Sequence, residues 1–331
     1  LGGNTTAANN VAVGVNALLA NTTGSDNVAV GQQAGKAITT GNTNIAIGGL
    51  AMSTNVVGDR NVAIGYSALE TYNPSSNEDS YNVAIGFAAL EADTTGKNNT
   101  AVGGNSLLLN TTGGNNTAVG TGSLTFNQTA NNNTGVGYLA LNANTTAGDN
   151  TAVGALSLDA NTTGDQLTAV GFSALSSNTT GDHNTAVGEG ALGANTTASN
   201  NTAVGKSALI ANTTGTRNCA FGFGAADANT TALDVAAFGH NALGGNTTGT
   251  QNAAFGTNTL LSNTTGELNV AFGHFALEGQ TTPDYNTAVG AQAGIAVTTG
   301  AQNTLIGAKA GLAQTTANNN VYVGYVAGDA T

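Results

Sequence analysis

The chain has 331 residues, a formal charge of −12 at pH 7, and only 6 Lys and Arg against 18 Asp and Glu. That balance lacks the basic footprint nucleic-acid binding requires and disfavours docking on anionic membranes. With 48 glycines, 5% aromatic residues and no tryptophan, composition alone would describe a disordered tract. Only the order of the residues argues otherwise.

That order is a seventeen-residue unit, N-[TV]-A-[VIF]-G-x-x-A-L-x-x-N-T-T-G-x-x, repeated nineteen times from Asn10 onward. Val, Ile or Phe fills the fourth position of every copy, and glycine closes the first half at Gly14, Gly31, Gly48, Gly65, Gly86 and so on to Gly324. A repeat this short and strict predicts an all-β, parallel β-solenoid (β-roll) of about nineteen coils, in which each coil buries its apolar side chains only against its neighbours. Residues 1–331 are therefore read as one solenoid segment.

Within each unit the first five positions alternate as a strand, and the N-T-T-G at positions twelve to fifteen carries the Asn and Gly of a tight turn. The Ala-Leu at positions eight and nine is expected to add a second short strand.

In chain order, Leu1 falls on the ninth position and Thr331 on the twelfth, so the chain reads as an excerpt of a longer array. The fourth copy holds an insertion at 72–81, Tyr72-Asn73-Pro74-Ser75-Ser76-Asn77-Glu78-Asp79-Ser80-Tyr81. It is expected to bulge from one turn as a surface loop, with Tyr72, Asn73, Pro74, Glu78, Asp79 and Tyr81 as candidate contact residues. Thr100, Thr117, Thr134, Thr151, Thr168, Thr185 and Thr202 then make an unbroken rank at the second position. Further on, the fourth position grows to Phe221, Phe238, Phe255 and Phe272, while the second becomes Cys219, Ala236, Ala253 and Val270. Positions that trade size share one close-packed space, so the second and fourth side chains are expected in the coil interior. The terminal copies, 303–331, lose the N-T-T turn and gain bulk at Leu305 and Tyr322, which suggests a cap or junction.

Charges outside the insertion fall only at positions six, seven, ten, twelve, sixteen and seventeen, which are read as facing water. Their absence from the first five positions predicts a strand covered on both faces, by its own interior and by another chain. Asn holds the first position in all copies but those of Leu167 and Val235, so its amides are expected to ladder from coil to coil. Glu189 and Lys206, both at the sixth position of adjacent copies, are expected to pair on the surface.

The strands Asn61-Val62-Ala63-Ile64-Gly65 and Asn82-Val83-Ala84-Ile85-Gly86 resemble the repeat motif of YadA-like heads of trimeric autotransporter adhesins. The complete unit, N-T-A-V-G-x-x-A-L-x-x-N-T-T-G, resembles repeat arrays of phage tail-fibre proteins. The adhesin resemblance implies a left-handed β-roll that trimerises about its long axis, and it extends over essentially the whole chain. The sequence departs from that family in its longer period, in the N-T-T-G turn, and in having no neck, coiled-coil stalk or membrane anchor.

No catalytic constellation, cofactor motif or metal site is legible. His183, His240 and His274 lie at outward positions of separate copies, and no glycine run matches a phosphate loop or a calcium-binding β-roll. Cys219 reads as a small hydrophobe, and no stretch is long and apolar enough to span a bilayer. Asn21, Asn110, Asn144, Asn161, Asn178, Asn195, Asn212, Asn229, Asn246 and Asn263 open N-x-T sequons, hence candidate glycosylation sites as well as turns.

The expectation is a structural protein and no enzyme: a rigid shaft or spacer of an extracellular fibre, on a virion or a cell surface. Its partners would be copies of itself, as homotrimer or end-to-end filament, with host-surface glycans or proteins as attachment targets. The alternative is an ice-binding solenoid that uses the Thr rank.

Overall fold

The computed structural model describes residues 3–329; Leu1 and Thr331, on which the mid-coil reading rests, lie outside them. Among the described residues the chain is all-β, with nineteen parallel strands of three residues each, from β1 (Val11–Val13) to β19 (Val321–Val323). Residue contacts divide it into two compact units, Leu1–Gln166 and Leu167–Thr331. The first holds β1 to β9 and the second β10 to β19. Each is a parallel β-solenoid with the predicted period, in which like positions of successive copies pair, as Val83↔Thr100 and Ile85↔Val102 in the first and Thr185↔Thr202 and Phe221↔Phe238 in the second.

Only one strand forms per coil. The Ala-Leu segment expected to be a second strand is a run of turns, because its residues alternate in and out of the left-handed region: Asn105 has φ 59° and Leu107 φ 50°, and Asn115 at the seventeenth position has φ 59°. Left-handed backbone in a Leu is costly and recurs here in coil after coil. It persists because the bent segment still hydrogen-bonds along the stack. In that copy Asn105 N–H donates to Phe87 O at 2.9 Å, Leu107 N–H to Ser123 O at 3.0 Å and Leu109 N–H to Thr125 O at 2.9 Å.

The glycine at the fifth position has a definite reason. Gly103 has φ +135°, and a Cβ there would lie 2.7 Å from the carbonyl carbon of Gly120. Gly86, Gly103 and Gly120 stack as expected, and only glycine tolerates both that backbone and that approach.

The interior is the reverse of the one read from residue size. Ala101, Ala118 and Ala186 at the third position are fully buried, as are Leu107, Leu124, Leu192 and their equivalents at the ninth. The second and fourth positions point out of the coil: Thr117 is half-buried and Val119 is 37% exposed. A coil of seventeen residues is too thin for a Val or Phe from the strand as well as the Leu opposite, so the strand turns its Ala inward.

Genuine size exchange inside the core occurs elsewhere. Where the ninth position loses its Leu, at Gly35 and Gly294, the twelfth becomes Ile38 and Val297, both buried. A Cβ on Gly35 would lie 3.0 Å from Ile38 Cδ1, and one on Gly294 2.6 Å from Leu305 Cδ1. The bulk of Leu305 thus fills the space left by Gly294 and Gly311.

Two columns of asparagine complete the interior. At the first position, Asn99 Nδ2 donates to Gly113 O at 2.8 Å while its Oδ1 accepts the N–H of Asn116 at 3.0 Å. At Val235 the ladder loses one link, since valine offers no acceptor: Val235 N–H donates to Asn218 Oδ1 at 3.0 Å, and the column resumes where Asn269 N–H donates to Asn252 Oδ1 at 2.9 Å. At the twelfth position, Asn127 Nδ2 donates to Asn110 Oδ1 at 2.9 Å and Asn144 Nδ2 donates to Asn127 Oδ1 at 3.0 Å. Dry, stacked amides of this kind supply binding that so small an apolar core does not.

Candidate functional site

The surface is built by the same rule that builds the core. With odd strand positions turned inward, the second, fourth and sixth side chains of successive coils line up as ranks on the outside. In the first unit this face carries Val62, Ile64 and Tyr66, then Val83, Ile85 and Phe87, with the Tyr66 and Phe87 rings stacked at 6.0 Å. In the second unit Phe221, Phe238, Phe255 and Phe272 stack with centroids 5.0, 4.8 and 5.7 Å apart. Phe223 stacks on His240 at 5.4 Å beside them. Phe272 is 57% exposed and Phe87 61%. In each unit, then, the fourth-position rank of this face is apolar and partly open, and the second and fourth positions carry no charge.

The Thr rank lies on the same face. Thr100, Thr117, Thr134 and Thr151 are half-buried in the first unit, as are Thr168, Thr185 and Thr202 in the second. The size exchange between the second and fourth positions is therefore a property of this outer surface and not of the core. Cys219, half-buried at the second position, has its thiol pushed up by burial.

The sequon asparagines are placed differently from the sequence expectation. Asn21, Asn110, Asn144, Asn161, Asn178, Asn195, Asn212, Asn229, Asn246 and Asn263 are all fully buried. The amide nitrogen that would carry a glycan is turned into the coil: Asn110 Nδ2 donates to Gly113 O and Asn195 Nδ2 to Ala198 O, each at 3.0 Å. A glycan has no room there, and the folded coil withdraws these residues as acceptors. The twelfth position is accordingly not a water-facing one, and Asp93, which occupies it, is buried.

Nor do the insertion residues form one exposed group. Tyr72 stands at the twelfth position of its coil and is fully buried, and Pro74 is buried beside it. Asn73 and Tyr81 are exposed. Asp79 pairs with Arg60, which also donates to the Tyr81 hydroxyl at 3.2 Å, and Glu78 pairs with Lys97 at 2.7 Å. These contacts fold the loop back onto its flanking coils.

Among the remaining surface groups, Lys206 Nζ lies 3.0 Å from Glu189 Oε2, the facing pair expected from their shared position. Arg217 donates to both carboxylate oxygens of Asp234, at 2.7 and 3.0 Å, and those hydrogen bonds hold the Asp234 carboxyl below its usual range. His183, His240 and His274 are exposed on separate coils. Among the described residues no three His, Cys, Asp or Glu side chains converge as a metal site, and no helix is long and apolar enough to cross a membrane. The architecture is compatible with a structural repeat protein. No family model and no curated protein matches this chain.

Proposed function

We propose that the chain is a shaft or spacer segment of an extracellular fibre, on a virion or a cell surface, and that copies of it associate side by side through the outward strand face. The observation that carries this reading is the size exchange on that face. Where Phe221, Phe238 and Phe255 project, the neighbouring second positions shrink to Cys219, Ala236 and Ala253, although both lie outside the coil; Phe272 beside Val270 and Ile47 beside Ile45 do not follow the exchange. Side chains that merely face water have no volume to conserve. Side chains packed against an equivalent surface at the same height do, because interfaces pack as densely as interiors. Such a partner also accounts for open apolar ranks without charges. Three copies is the number the adhesin resemblance implies.

Light scattering of the soluble protein tests this reading. A whole multiple of the 32.2 kDa chain mass is expected, together with its loss in Phe238→Asp while circular dichroism stays unchanged. A wild-type monomer at high concentration would remove the assembly from the proposal.

A further inference from the structure

The twelfth-position column is amide in most coils but holds a carboxyl at Asp93, directly after Tyr72. Asp93 is fully buried, and its Oδ1 accepts the N–H of Gly96 at 2.8 Å, as Asn55 Oδ1 accepts that of Gly58 at 2.8 Å. The other oxygen therefore stands where Asn55 and Asn110 have an Nδ2 that donates to Gly58 O and Gly113 O, each at 3.0 Å. Asp93 Oδ2 is buried without a hydrogen-bond partner, and so is the Tyr72 hydroxyl. An ionised oxygen at that place meets a carbonyl in a dry column, where the amides of Asn99 and Asn110 offset its burial only in part, whereas a protonated one donates as the amide does.

The same segment holds both ends of the insertion. Asn73 N–H donates to Thr94 O at 2.9 Å, Asn98 N–H to Ser80 O at 2.8 Å, and the Thr71 hydroxyl to Asp93 O at 3.1 Å. We propose that Asp93 is a proton-operated lock on the insertion coil: protonated, it completes the buried column as asparagine does elsewhere, and ionised, it loosens residues 73–81 from the coil beneath. The groups facing it are the Tyr72 ring from the preceding coil, Asn110 from the following one and Asn99 from its own. Tyr72, whose hydroxyl burial pushes up to about 12, stays neutral throughout. The nearby charges, Glu78 with Lys97 and Asp79 with Arg60, are paired on the surface.

Burial pushes the Asp93 carboxyl up to about 7. Because the folded-state value lies above the unfolded one of roughly 4, the lock is complete below roughly pH 4, weakens as pH rises, and is lost by roughly pH 7. Hydrogen exchange at the Asn73, Gly96 and Asn98 amides, corrected for intrinsic rates, is expected to lose protection by up to about tenfold per pH unit across that window. Asp93→Asn should be flat over the same window and at least as protected as wild type at about pH 5. Difference infrared spectra of wild type against Asp93→Asn should show a protonated-carboxyl band that vanishes above neutral pH. Equal slopes in the two proteins, a missing band at low pH, or an Asp93→Asn chain that fails to fold would each overturn the proposal.

Discussion

Asn127 shows how much a single side chain carries in so thin a coil. It donates to Asn110 Oδ1 and Ala130 O at 2.9 and 3.2 Å and accepts from Asn133 and Asn144 at 3.3 and 3.0 Å, all out of water. Leucine has nearly its volume but none of its polar atoms. Asn127→Leu would orphan Asn110 Oδ1 and remove four bonds, and the expected loss is on the order of 3 kcal/mol. A urea midpoint that falls with unchanged slope would register that loss; a change below about 0.5 kcal/mol would mean that the column is ornamental.

At the scale of one coil, the exchange between the ninth and twelfth positions makes a sharper prediction. Gly35→Leu alone forces a side chain against Ile38 Cδ1 and Leu18 Cδ2, 3.0 and 3.1 Å from where its Cβ would be. Ile38→Asn alone leaves a void, although it offers a donor to Asn21 Oδ1, which is buried without a partner. The double variant restores the consensus coil, so the two changes should couple favourably by about 1–3 kcal/mol. A double-mutant cycle in urea that gives additive effects would contradict the packing described.

The coil also explains what was legible in the sequence. Period, strand position and the glycine at Gly103 could be read because each is a local steric demand repeated in every copy. The inside of the strand could not. Alternation over three residues gives two equivalent faces, and the larger side chains, such as Val119 and Phe238, point to the wrong one. Left-handed Leu107 leaves no mark in its residue type, and Asn110 looks like a surface turn residue until the stack closes over it. On the surface, the apolar rank at Phe221 was visible as residues but assigned to the core, while the ion pair of Glu189 and Lys206 was placed correctly because shared position alone decides it.

For the whole molecule, stability in such a repeat is a sum of copies and of the contacts between neighbours. Within the second unit, deletion of residues 185–201 joins Asn184 to Thr202 and removes one complete copy. The shortened chain is expected to fold with one strand fewer and a single cooperative melt. Deleting one residue fewer leaves an extra residue where Asn184 meets Asn201, so the two coils at the junction face each other out of register, and that variant should melt at a lower temperature than the in-phase deletion. If both deletions behave alike, stacking in register is not what holds the unit together.

The interchangeable copies have a genetic consequence. Unequal recombination between repeats adds or drops whole units, and any whole number of them leaves the upper rim of one coil matched to the lower rim of the next. The array is thus free to change length in a single step without a new folding problem, and the four extra residues of the Tyr72 coil show that even an out-of-phase error survives when it lands in a turn.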